Sequence, residues 1–336
     1  MSRFPKVIGA IVATSALLVG ATACADESAG PSGDGGGGGG ATTDTLSISA
    51  TGVDSLPFMA ILQAGIDKKW FEEEGLKVDL FSGGGGGNTL RVVTSGDADM
   101  AIAGNTSVLL AAQQPNSNLK VVAPWFQIND FSWISPPGRT VEGAVLGFSS
   151  AGSSTELIVK GLERELGQGV RAQAVGQMGD NWTAAKANQI TAGWAMQPFI
   201  AEKQASEGAE VLVNSRDVLG DLPADLVAVN TQYADANPEN IKTFFKVADR
   251  LNEWVVSNPD EAGAEIGPLV GVAPETMQAA LKNNPDLAKA YSLKVDPEGL
   301  NNLSELMVAA GQIDTPVDWA TMLDQQYLPE DDRATF

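Results

Sequence analysis

The sequence predicts an α/β protein whose core is divided between two lobes. Short apolar runs of strand length alternate with helical patterns from Thr45 onward, the arrangement that builds sheets covered by helices. After residue 237 the pattern turns wholly helical, so strands come first and helices last. The body from Thr45 onward is about 290 residues, beyond the range that one hydrophobic core usually serves.

The amino-terminal segment reads as an address. Arg3 and Lys6 make a positive start, Val7 to Gly20 an apolar stretch, and Ala21-Thr22-Ala23-Cys24 a run of small residues ending in the only cysteine. The stretch is 14 residues, short of the ~20 that a helix needs to cross a bilayer. Residues 1–23 are expected to be a signal peptide and Cys24 the site of lipid attachment, because a cysteine directly after small residues resembles a bacterial lipobox. The plainer alternative is an ordinary cleaved secretory peptide. Ala25 to Asp44 holds eight glycines, among them the unbroken Gly35 to Gly40. Such a segment buries too little to fold, so residues 24–44 read as lipidated cysteine and tether, and a flexible coil of about 20 residues reaches roughly 25 Å.

Strands are expected at Leu46–Ala50, Lys77–Phe81, Asp99–Ala103, Lys120–Ala123, Val145–Phe148, Val170–Val175, Val211–Val213 and Leu226–Val229. Between them Ser55 and Pro57 precede a helix over Ala60–Ile66, and Asn105 precedes one over Val108–Gln113. Ser153-Ser154-Thr155-Glu156 is a capping box ahead of Leu157–Leu166. Further on, Ile241, Phe244, Phe245, Ala248, Leu251 and Val255 recur at i, i+3, i+4 and i+7, and another helix starts after Asp296-Pro297.

Composition removes whole classes of chemistry. The sequence has no histidine, which excludes Ser-His-Asp and Cys-His triads and histidine metal sites. Its one thiol lies in the address segment, so the body has no disulfide framework and no thiol chemistry. Twenty-one basic against 42 acidic residues give a formal charge of -21, which opposes a nucleic-acid partner. Gly83 to Gly87 lacks the lysine and spacing of a phosphate loop and reads as a cleft-side loop whose glycines permit φ > 0 or close backbone approach. Asp97 and Asp99 read as turn caps rather than a metal pair. No catalytic residue, metal site or cofactor is expected.

The run from Gly52 to Gln114, with its "WFEEEGLKV", its glycine loop and its "SGDADMAIAG", resembles the first lobe of binding proteins for ABC importers. The closest group in kind is that for aliphatic sulfonates, taurine, nitrate and thiamine-type pyrimidines. GFSSAGSSTELIVKGLERELG and NWTAAKANQITAGWAMQPFIAEK are similar to the second lobe's ligand loop and to its helix, aromatic strand and Pro-initiated helix. The weakened segment Thr140 to Gly147 lacks the lysines of the family pattern. The resemblance implies a two-lobed type II periplasmic-binding-protein fold with a ligand cleft between lobes. It would place residues 45–128 and 231–336 in a discontinuous first lobe and 129–230 in the second.

Helix starts offer unpaired backbone N–H groups, and the resemblance implies that three of them converge on the ligand: Ser55-Leu56, Asn105-Thr106-Ser107 and Gly152-Ser153-Ser154-Thr155. Each is equally readable as a plain N-cap. The resemblance would place Trp125, Trp182 and Trp194 at the hinge or cleft, which suggests a flat or apolar ligand portion, with core packing as the alternative. Asn129 and Gln197 complete the expected ligand-binding set. The resemblance would put Asp54, Asp130 and Asp180 near the cleft mouth, where they would suit an amine, with capping or turn-making as the alternative; Arg91, Arg139 and Lys186 are the candidate counter-charges for an anion, with surface solvation as theirs.

The function expected is that of a solute-binding lipoprotein of an ABC importer, monomeric, held by its lipid on the extracytoplasmic face of the cell membrane. Its partners would be a small-molecule ligand and permease and ATPase subunits on other chains. The favoured ligand is an organic anion with an aromatic or alkyl part, such as a sulfonate or aromatic carboxylate. The alternatives are a thiamine-type pyrimidine or other amine-bearing heterocycle, and a ligand-sensing lipoprotein without transport.

Overall fold

Each of two five-stranded sheets is finished by a strand that arrives from the other. The computed structural model describes residues 44–336. The expected signal peptide, Cys24 and all of the tether except Asp44 lie outside the described residues. Asp44 itself begins the first strand.

The chain opens with β1 (Asp44–Ala50), α1 (Pro57–Asp67), α2 (Trp70–Glu73), β2 (Leu76–Ser82), α3 (Gly86–Thr94), β3 (Met100–Gly104), α4 (Asn105–Ala112) and β4 (Leu119–Trp125). It then crosses to β5 (Ser132–Ser135), β6 (Val145–Phe148), α5 (Ser154–Leu166), β7 (Arg171–Ala174), α6 (Met178–Lys186), β8 (Ala192–Ala195), α7 (Phe199–Glu207), β9 (Glu210–Asn214) and α8 (Ser215–Leu219). It returns at β10 (Asp225–Asn230), followed by α9 (Thr231–Ala236), α10 (Pro238–Ser257), α11 (Pro259–Leu269), α12 (Pro274–Lys282), α13 (Leu287–Ala290), α14 (Pro297–Ala309) and α15 (Trp319–Met322).

The first sheet has the order β2-β1-β3-β10-β4 and the second β7-β6-β8-β5-β9. In each, three parallel strands are followed by an antiparallel newcomer: β10 between β3 and β4, β5 between β8 and β9. The expected boundary at residue 230 put the Leu226–Val229 strand in the second lobe. Its backbone bonds instead run to β3 and β4, because the return crossing is made upstream, after α8. The glycine loop at 83–87 also differs from expectation, since Gly86 and Gly87 already belong to α3.

Packing follows the apolar patterns. Leu46, Ile48 and Ala50 of β1 are fully buried, as are the apolar positions of α10 from Ile241 to Val255. Phe244 of that helix lies 6.0 Å from the Phe71 ring and 6.3 Å from that of Trp125, joining helix layer to sheet. In the second sheet Trp133 is fully buried and donates its indole N–H to Gly147 O at 2.7 Å.

Two crossover segments connect the sheets, Phe126–Phe131 outward and Gly220–Ala224 back, and they run side by side. Ala224 N donates to Phe126 O at 2.9 Å. Asn129 Nδ2 donates to Gly220 O at 3.2 Å, and its Oδ1 accepts from Ser215 Oγ at 2.7 Å. A fully buried amide thus ties the two crossovers together, and its donor and acceptor are both used.

Candidate ligand cleft

Parallel strands of an α/β sheet leave a crevice beyond their carboxyl ends, where the following helices begin. Here the crevices of the two sheets face each other around a cavity of ≈ 580 Å³. The first sheet contributes Thr51 and Gly52 after β1, Ser82 at the end of β2 with Gly84–Gly86 beyond it, Gly104 at the end of β3, and Asp225 at the start of β10. Across from them lie Ser149 and Ser150 after β6, Ser153–Thr155 at the start of α5, and Trp194 and Gln197 at the end of β8. A second hollow of ≈ 970 Å³ runs between the α4–β4 segment and Gln312–Asp324, and it draws on the first sheet's side alone.

Two helix starts present backbone donors. In α5, Ser153 Oγ caps Glu156 N at 3.2 Å, and the Glu156 carboxylate turns back to Gly152 N at 2.7 Å, one residue upstream of a symmetric capping box. The N–H groups of Ser154 and Thr155 keep no protein acceptor. In α3 the N–H groups of Gly86, Gly87 and Asn88 are likewise free of protein acceptors. A Cβ at Gly86 would stand 2.5 Å from Ser107 Oγ, so a side chain there would force Ser107 to shift.

The lobes touch at this point. Ser107 Oγ donates to Gly152 O at 2.8 Å, and a Cβ on Gly104 would come within 2.6 Å of Ser154 Oγ. Aromatic walls flank the cavity. Trp194, its indole N–H fixed on Gly176 O at 3.0 Å, sits 6.2 Å from the Phe131 ring at a 54° tilt.

Of the expected set, Ser55, Leu56, Ser153, Ser154, Thr155, Trp194 and Gln197 line the cavity. Five do not. Asn105 is buried beneath it, donating to Pro223 O at 2.6 Å, while its Oδ1 takes the N–H and Oγ1–H of Thr106, so this helix start caps itself. Trp125 is packed in the first core with its indole N–H on Phe58 O at 3.0 Å. Trp182 fills a small core with Ile134, Ala195 and Ile200 behind the second sheet. Asn129 is the buried amide between the crossovers described above. Each has its polar group or its ring consumed by the fold.

The family model described as NMT1/THI5 like matches residues 57–262. The chain belongs to this family. No curated protein matches it. Among solved structures, the ligand-binding component of an ABC-type import system from Staphylococcus aureus superposes with a TM-score of 0.71 at 13% identity, over 87% of this chain and 100% of the other. The aliphatic sulphonate binding protein SsuA from Escherichia coli gives 0.66 at 15%, over 87% and 96%. The desulfurization enzyme DSZB gives 0.62 at 14%, over 84% and 97%. The fold is thus the two-lobed periplasmic-binding-protein fold, with its cleft between the lobes.

Charge in this family member's cleft is one-sided. Among the described residues its lining includes Asp54, Glu202 and Asp225 and no lysine or arginine. The three expected counter-charges lie elsewhere: Arg91 is exposed on α3, Arg139 bonds Asn188, and Lys186 pairs with Glu207. Asp180 caps the start of α6 by accepting from Gln177 N at 3.1 Å. Asp130 borders a smaller chamber beside the crossovers, where burial pushes its carboxyl up to about 6 against the Gln197 N–H and the Arg216 charge. Asp225 is 5% exposed, and burial alone pushes its carboxyl up to about 7. Asp225 was outside the expected set. Its one trace in the sequence is an acid placed directly before the apolar run Leu226–Val229, a pattern shared with many strand starts.

Proposed function

We propose that the chain is the extracytoplasmic ligand-binding component of an ABC importer, held at the membrane by a lipid on Cys24 and the Gly-rich tether. A small organic ligand enters the cleft, the lobes rotate about the paired crossovers at 126–131 and 220–224, and the closed form delivers it to a permease and ATPase on other chains. Binding, with no chemical conversion, is the role proposed. The lobes would be residues 45–125 with 225–336, and 126–224, which moves β10 to the first.

The observation that carries this reading is a cavity of ≈ 580 Å³ lined from both sheets, with free helix-start donors and an aromatic wall. That volume suits a metabolite-sized ligand. The Staphylococcus aureus and Escherichia coli neighbours, named for ABC import and aliphatic sulphonate binding, support the transport role. For the ligand, the α3 and α5 starts favour an anionic group, whereas the carboxylates of the lining favour an amine.

Small-angle scattering of the full chain with and without ligand tests the closure. A ligand that stabilises the fold should also lower the radius of gyration. Stabilisation with no compaction would leave a binding protein without the hinge step. Cys24→Ser should move the protein from the detergent phase to the aqueous phase, and an unchanged partition would remove the lipid anchor. Sedimentation velocity checks the monomer.

A further inference from the structure

We infer that the cleft selects an organic cation, a protonated amine or amidinium on a flat apolar body, and that Asp225 is the counter-charge that recognises it. The inference rests on the cleft being a small-ligand site and names the class of ligand it takes.

Asp225 is the first residue of β10, held in register with Gly104 of β3 and Trp125 of β4. It lines the cavity at 5% exposure, and no N–H or O–H group among the described residues donates to its carboxylate. A carboxylate that is largely buried, has no salt bridge or protein hydrogen bond, and keeps its remaining exposure at the cavity is free to take a ligand's donor, and its place there calls for an explanation in function. Its surroundings supply no cation: neither lysine nor arginine lines the cavity, and Asp54 and Glu202 add to the negative field. A ligand N–H carrying positive charge would meet Asp225 in a charge-assisted hydrogen bond. Phe131 and Trp194 would hold its body, and their faces also attract cations. The formal charge of -21 acts the same way at longer range, raising the encounter rate with cations and lowering it with anions.

A proton balance follows. Burial pushes the empty site's carboxyl up to about 7, so a cation that binds there displaces a proton as pH falls below that range. The other titratable side chains of the lining are Asp54 and Glu202. Affinity for a cation should rise about tenfold between pH 6 and 8, as the Asp225 carboxylate forms.

The test is thermal unfolding and calorimetric titration of the full chain with six probes sharing an aromatic body. Benzylamine, benzamidine and 4-aminopyridine are the cations, benzoate and phenylmethanesulfonate the anions, and benzyl alcohol the neutral control. The expected result is a rise in midpoint with cations only, release of a proton on binding near pH 6.5, and at least a tenfold loss of affinity in Asp225→Asn. Should that variant fold poorly, the pH series on the unaltered chain tests the same carboxylate. Stabilisation by the anions or the alcohol, or a cation response unchanged in Asp225→Asn, overturns the inference while leaving the cleft a ligand site. No response to any probe by the folded chain overturns both.

Discussion

Replacing Asp225 by Asn should stabilise the ligand-free protein, against the ordinary result of altering a buried residue. The carboxyl is pushed up to about 7 from 3.8 by burial alone. An acid whose folded pKa is raised binds its proton more tightly in the native state, so the fold loses stability as pH rises from about 4 to about 7. Three units correspond to about 4 kcal/mol above pH 7, since each is worth about 1.4 kcal/mol. Asn has nearly the same shape and never ionises, so it escapes that cost while keeping a polar group at the site. The variant should lead the parent chain by about 2 kcal/mol at pH 5 and about 4 kcal/mol at pH 8. In a protein of this size that is a midpoint difference on the order of 10 °C at the upper pH. Differential scanning calorimetry of both chains across pH 5 to 8 measures it. A variant less stable than its parent at pH 8, or a gap that does not change with pH, would refute the reasoning, because the carboxylate would then have a partner that ionisation strengthens.

Gly104→Ala places a methyl 2.6 Å from Ser154 Oγ across the cleft; small-angle scattering should show a larger radius of gyration, reversed by adding Ser154→Ala. Phe244→Ala empties a fully buried site between Phe71 and Trp125 and should cost about 3–5 kcal/mol in urea unfolding. Arg216 pairs with Asp221 at 2.7 Å and Asp286 at 2.6 Å, with 30% of its side chain exposed. Arg216→Ala should therefore lower stability by only ~1 kcal/mol at low salt, and the deficit should shrink in concentrated NaCl.

What could be seen in the sequence was whatever depends on local pattern. The apolar period from Ile241 to Val255 is the buried face of α10, and Ser153 caps α5 as its spacing implies. β5 escaped because Ser132-Trp133-Ile134-Ser135 is four residues long and buried on both faces, which leaves no alternation to detect. α3 was hidden by its own first two residues, since glycine lowers helix propensity and its place there is set by Ser107. The site divided along the same line. Ser153–Thr155 are placed by their own helix start and line the cavity. Asn105, Trp125 and Trp182 carry side chains equally suited to a ligand, yet their partners Pro223, Phe58 and Ile134 are supplied by tertiary structure. Asp225 is a binding candidate only because the return crossing buries it opposite α5.

The position of β10 bears on how the chain is made. It lies inside the first sheet, between β3 and β4, so β4 has no strand partner in that sheet until residues 225–230 arrive. A chain emerging amino end first must therefore produce all of β5 to β9 before that sheet can close. The second sheet suffers no such delay, since its five strands lie within residues 132–214. Long-range pairing is slow to form, and the gap between β3 and β4 keeps apolar strand edges open meanwhile. The protein's vulnerable interval is thus written into its strand order: an intermediate with the second lobe built and the first still split is the species most exposed to aggregation.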